Sequence, residues 1–206
     1  GGDEPRVVGG RRLCPAVLRF FFLMIGDHRD LHSFPTRRSS DLAIDRVWRD
    51  EVEGLRTDLR GWIRKVAESE ENWVPTYFEF SFGLGKQAGR DPLSLRDEAV
   101  VFDGYRLRGA IDLIETDATT GRVRMTDHKT GKSYWKRLVV VGGGEVLQPM
   151  LYALAAEYHL EEEVSGGRLF YCTRRGGFEA REVELNADNR RTVEQEIGGA
   201  SWRERV

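Results

Sequence analysis

The order of patterns along the chain predicts a mixed α/β domain, a central sheet flanked by helices. Three observations carry this. Apolar residues recur at helical spacing from Ala43 to Glu70 and again from Glu145 to Leu160. Between and after those stretches the apolar positions alternate, as they do along a half-buried strand. Clusters of Gly, Asp, Thr and Asn punctuate the alternating runs. The resulting order of helix, strands, helix, strands, helix is that of a layered α/β domain.

In the first helix, Ile44, Val47, Trp48, Val52, Leu55, Leu59, Trp62, Ile63 and Val66 mark one stripe, which predicts packing on the sheet. Thr76 to Phe82 alternates as a strand. Glu98 to Asp103 is a second, short strand, and the Asp103-Gly104 turn leads it into a third, Tyr105 to Glu115. Thr116-Asp-Ala-Thr-Thr-Gly121 is a turn cluster, after which Arg122 to Lys129 resumes the extended pattern and completes a hairpin. With the turn closing around Ala118 and Thr119, Asp112 falls opposite Met125 and diagonal to Asp127. Asp112, Asp127 and Lys129 then share one face. Beyond Gly142-Gly-Gly144, the spacing of Leu147, Leu151, Leu154, Ala155 and Tyr158 predicts the helix over 145–160. Gln148 and Tyr152 are four apart and share a face of it, and Pro149 falls in its first turn, where a missing N–H is tolerated. Arg168 to Thr173 and Phe178 to Leu185 pair across Arg174-Arg-Gly-Gly177, and Asn186 starts a last helix.

Two acids and an amine converging on one patch are the minimum equipment for metal-assisted phosphodiester hydrolysis. A Mg²⁺ ion prefers oxygen ligands, and Asp112, Asp127 and the backbone carbonyl of His128 would make a partial shell. The ammonium of Lys129 would orient the attacking water or stabilise charge on the phosphate. Each feature alone has a plainer reading. Asp-x-Lys on a strand is commonly a solvated pair, Tyr152 a core aromatic and Gln148 a capping or surface residue. Their joint order is what carries weight.

Gly109-Ala-Ile-Asp112, Asp127-His-Lys129-Thr-Gly131 and Gln148-Pro-Met-Leu-Tyr152, in this order, resemble the PD-(D/E)xK nuclease superfamily. The closest likeness is to the RecB-like branch found in AddB-type helicase-nuclease subunits and CRISPR-associated exonucleases, over roughly Glu79 to Glu184. The resemblance implies a restriction-endonuclease-like core and a Mg²⁺-dependent deoxyribonuclease, with Mn²⁺ as an alternative ion, of exonuclease type in DNA repair and recombination. It implies Asp112 and Asp127 as metal ligands, Lys129 as the catalytic lysine, and Gln148 with Tyr152 as residues that position the active site or DNA. Single-stranded DNA ends would be the substrate, a helicase domain or subunit the partner, and the cytoplasm the compartment, with no membrane. The alternative is a catalytically silent DNA-binding or scaffold fragment, because the branch commonly carries an upstream metal-binding histidine and none stands between Ala43 and Asp127. Many relatives also hold an iron–sulfur cluster on four cysteines, whereas this chain has only Cys14 and Cys172, which supports neither that cluster nor a disulfide framework. Truncation ahead of the cysteine cluster is the expected reason. Glu79 resembles the glutamate of a Glu-x-x-Phe-Gly segment of AddB-like domains; it either approaches the metal or pairs with a sheet-edge cation.

The ends of the chain look foreign to the domain. Gly26 to Leu42 resembles one reading frame of a sequencing adapter, and Ile197 to Val206 resembles the opposite adapter end. The expectation is therefore an artefactual or disordered arm at 1–42, a nuclease-like domain at 43–196 and an artefactual tail at 197–206. The apolar run Val17 to Ile25 is too short to span a membrane and is not followed by a small-residue cleavage site. His28 and His32 lie in the adapter-like stretch and are not recruited as ligands. A net charge of −2 argues against a protein that coats nucleic acid in bulk but allows a local basic groove. Arg106, Arg108, Lys132, Lys136 and Arg137 are candidates for phosphate contacts or for ordinary solvated charge. Neither Gly83-Leu-Gly-Lys86 nor Gly142-Gly-Gly144 has the spacing of a nucleotide-binding loop, so no helicase motor is expected within the chain.

Overall fold

The computed structural model describes residues 42–69, 71–85, 90–102, 104–133 and 147–203. Asp103, the two glycine-bearing loops in part, Lys136, Arg137, Cys14, His28 and His32 lie outside them, as does the arm up to residue 41. The elements are α1 (Leu42–Glu68), β1 (Trp73–Phe82), β2 (Ala99–Val101), β3 (Tyr105–Leu107), β4 (Gly109–Asp117), β5 (Val123–Lys129), α2 (Leu147–His159), β6 (Val164–Tyr171), β7 (Ala180–Glu184) and α3 (Ala187–Arg203). Five strands form one sheet in the order β1-β4-β5-β6-β7, and β2 with β3 forms a separate two-stranded ribbon. Only the β5–β6 pair is parallel. That pairing needs a crossover, which α2 supplies.

Three expectations change in detail. The run from Tyr105 to Glu115 is two strands, broken at Arg108 and divided between the ribbon and the main sheet. The strand expected at Arg168 begins at Val164, because Gly166 and Gly167, which read as a loop, sit inside it. A methyl group on Gly167 would lie 2.4 Å from the Pro149 carbonyl oxygen, so this glycine is the point where α2 crosses closest to the sheet. Replacing Gly167 with alanine is expected to cost about 1–3 kcal/mol of stability, read by urea unfolding; an unchanged midpoint would show that α2 can retreat freely.

The third change concerns register. Leu113 pairs with Thr126 and Ile114 with Met125, so Asp112 lies one step further along, level with Asp127, and is not opposite Met125. The turn is longer than expected. Asp117 Oδ1 accepts from the Thr119 and Thr120 N–H groups at 2.7 and 2.9 Å, and Gly121 takes a left-handed φ of 74°. Closing the hairpin over 118–121 moves the two acids from diagonal to adjacent.

The main core lies between α2 and the sheet. Met150, Ala153 and Leu154 pack on Phe80, Phe82, Ile111, Ile114 and Met125. The buried stripe of α2 thus differs from the one expected: Leu147 and Leu151 are only partly buried and Tyr158 is exposed. A smaller cluster on the other face joins Trp62 of α1 to Leu113, Phe170 and Cys172. Expected contact of α1 with the sheet is realised around Trp62, while Val47, Trp48 and Leu55 remain exposed. A 27-residue helix is about 40 Å long. It outruns every strand of the sheet.

Asn186 caps α3 by accepting the Asn189 N–H at 2.9 Å, and the helix continues beyond Glu196 to Arg203. Arg190 pairs with Glu157, tying α3 to α2. No helix among the described residues is long and apolar enough to cross a membrane.

Candidate active site

The site forms where β4, β5 and the first turns of α2 meet. Strand alternation sends Asp127 and Lys129 of β5 toward α2, and Arg124, Thr126 and His128 to the opposite face. Asp112 Oδ2 accepts the backbone N–H of His128 at 2.8 Å, which fixes its carboxylate against the neighbouring strand. Lys129 Nζ lies 2.6 Å from Asp127 Oδ2 and donates to Gln148 Oε1 at 3.0 Å. Gln148 Nε2 donates to Asp127 Oδ1 at 2.7 Å and to the Tyr152 hydroxyl oxygen at 3.2 Å. The amide of Gln148 has one orientation that satisfies all of these, oxygen to the ammonium and nitrogen to the carboxylate. Because Tyr152 accepts from Gln148, its own O–H is left to donate elsewhere.

All five residues singled out as catalytic candidates are thus brought together. Charge explains their ionisation. Burial, then the negative charge of Asp127, pushes Asp112 up to about 7; Glu79 adds to the rise, while the His128 N–H and Lys129 oppose it. Burial also raises Asp127, against the pull of Lys129. Tyr152 is raised by burial first and then by the charges of Asp127, Asp112 and Glu79, so it stays a neutral phenol. Two acids that repel each other in a part-buried pocket, both with hard oxygen donors, fit a divalent cation. Among the described residues, however, no group of three His, Cys, Asp or Glu side chains is close enough to hold one.

The His128 side chain is not part of this patch. It is sandwiched edge-on with Trp62 and Phe170, at 6.2 and 5.8 Å between ring centroids. Burial, then the neighbouring Arg168, lowers it to about 3, so the ring is neutral. Cys172 is buried and unpaired with any other cysteine, and its Sγ lies 3.6 Å from the Lys129 carbonyl oxygen. Of the basic candidates, Arg106 pairs with Glu98 at 3.6 Å, and Arg108 and Lys132 are exposed.

Behind the patch lies a charged network that no motif announces. Glu115 Oε2 accepts from Arg124 Nε at 3.1 Å, Arg168 Nη2 at 2.7 Å and the Thr126 hydroxyl at 2.6 Å. Arg124 also donates to Glu182 and Glu71, both at 2.7 Å, and its guanidinium lies 4.4 Å from the Trp73 ring centroid. The signal available in the sequence was charge at alternate strand positions that otherwise read as core. This network stitches β4, β5, β6 and β7 together on the face away from Asp127.

A mixed sheet bearing two acids, a lysine and a Gln–Tyr helix face defines a domain of the nuclease type. The chain belongs to the PD-(D/E)XK nuclease superfamily, whose profile matches residues 27–204. The match takes in all three motif segments and extends to either side of 43–196. Membership implies a phosphodiester hydrolase that binds DNA and, as these nucleases generally do, uses divalent metal ions. Comparison with curated proteins gives no match.

Proposed function

We propose that the chain is a metal-dependent deoxyribonuclease of the RecB/AddB type, acting exonucleolytically on single-stranded ends in DNA repair and recombination. The observation that supports it is the convergence of Asp112, Asp127, Lys129, Gln148 and Tyr152 on one patch. In this reading Asp112 and Asp127, with the His128 carbonyl, hold the cation, Mg²⁺ or Mn²⁺. When bound, that ion polarises the phosphate and lowers the pKa of a coordinated water. Lys129 orients the attacking water and offsets charge building on the phosphate oxygens. Gln148 keeps the ammonium and the Asp127 carboxylate in register, and Tyr152 donates its O–H to the substrate backbone. A helicase domain or subunit is the proposed partner and the cytoplasm the proposed compartment.

The test is cleavage of an end-labelled single-stranded oligonucleotide in Mg²⁺. Asp112→Asn and Asp127→Asn are each expected to lower the rate by about a hundredfold or more, and chelation to abolish it. Full activity in both variants would overturn the assignment. A second reading, a silent DNA-binding or scaffold domain, is favoured by the shortage of a third ligating side chain among the described residues. Retained DNA binding with no cation affinity would select it.

A further inference from the structure

The chain after β1 returns along that strand's free edge. Asp91 N–H donates to the Glu79 carbonyl at 3.3 Å, and Asp91 Oδ2 accepts the Phe78 N–H at 3.1 Å. Ser94 Oγ accepts the Ser81 N–H at 3.0 Å, and Leu95 N–H donates to the Ser81 carbonyl at 2.8 Å. These bonds occupy edge groups that an outer strand would otherwise leave open. They also set the position of Arg90, whose guanidinium pairs with the Glu79 carboxylate. Both side chains are largely buried, 16% and 12% exposed.

Glu79 itself departs from strand geometry. Its φ is 53°, a region that residues other than glycine seldom occupy. There the alternation of β1 slips: Tyr77 and Phe80, three apart, both pack with the main core, while Phe78 packs with the smaller cluster. Glu79 falls between the pairs Phe78–Leu113 and Phe80–Ile111, beside Asp112 on the adjoining strand. Its charge is felt at both Asp112 and Tyr152. A buried carboxylate must keep a cation beside it, and Arg90 fills that role here.

We propose that Glu79 is a third carboxylate for the divalent cation held by Asp112 and Asp127, and that Arg90 is the partner it gives up when the cation binds. This rests on the metal-dependent nuclease reading. It supplies the third donor that the other two acids lack, and it makes Arg90 a competitor of the metal. Exchange of partners keeps Glu79 compensated in both states.

Calorimetric titration of the full chain with MgCl₂ and, separately, MnCl₂ tests it in four proteins: wild type, Glu79→Gln, Arg90→Gln and the double variant. Glu79→Gln is expected to weaken cation affinity about 10–100-fold, and Arg90→Gln to tighten it about tenfold. The gain from Arg90→Gln should vanish once Glu79 is glutamine. A gain that persists in the double variant would mean that Arg90 acts only through its long-range charge, and would overturn the exchange. Equal affinity in wild type and Glu79→Gln would also overturn it, leaving the nuclease reading intact. No binding by any of the four would remove both. If a variant is less stable, the cation-induced rise in its own melting temperature gives the same ranking; equal rises in all four would again overturn the proposal.

Discussion

Lys129→Ala is expected to lower kcat on DNA about 10²–10³-fold, with little change in KM, because the ammonium is proposed to act on charge that develops only in the transition state. The fold should tolerate the change. Lys129 is partly exposed, and an ion pair of that kind contributes about 0–1 kcal/mol. Asp127 keeps its hydrogen bond from Gln148 when the lysine is gone. Arginine should not rescue, since its wide planar fork cannot reproduce a single point donor set between Asp127 Oδ2 and Gln148 Oε1. Single-turnover cleavage alongside a urea melt separates the two effects. Wild-type cleavage by Lys129→Ala would sink the proposed role.

The second large effect is on stability. Glu115→Gln is expected to destabilise the domain by about 3–5 kcal/mol, because it leaves Arg124 and Arg168 buried around a neutral amide. Acid should do the same to the wild type. Burial alone would raise the Glu115 carboxyl, but the guanidiniums of Arg168 and Arg124, with hydrogen bonds from Arg124 and Thr126, outweigh it and hold the group below its usual range. A carboxyl with a depressed native pKa contributes stability that is full above its unfolded value of about 4.3 and is lost as pH falls through the native value. Urea melts between neutral pH and pH 3 should therefore show a decline below about pH 4.3 that Glu115→Gln lacks. An identical decline in both proteins would place the acid sensitivity elsewhere.

Much of this arrangement was legible in the residues, for identifiable reasons. The hairpin and its shared face follow from period-two alternation, which is local, and so do the Gln148–Tyr152 pairing on one helical turn and the Asn186 cap. What escaped was non-local. Register depended on how Asp117 wraps its own turn, and a two-residue difference in loop closure decides whether Asp112 is diagonal or level with Asp127. The start of β6 was hidden because Gly166 and Gly167 read as a loop, although Gly167 is there to admit Pro149. Arg90 carries no periodic signal at all; its partner is eleven residues away across an edge contact. The stripe of α2 shifted because its alanines, not its leucines, make the closest approach to the sheet.

The alternation along β5 has an outcome for how the gene would tolerate change. A saturation library over residues 124–129, sorted once by cellular abundance and once by turnover, should resolve into two interleaved combs. Variants at Arg124, Thr126 and His128 would be depleted in the abundance sort, since those side chains sit in the ion network and against Trp62. Variants at Asp127 and Lys129 would survive it and fail only when turnover is demanded. Adjacent codons would then answer to different selective pressures, and a single strand would record both histories side by side.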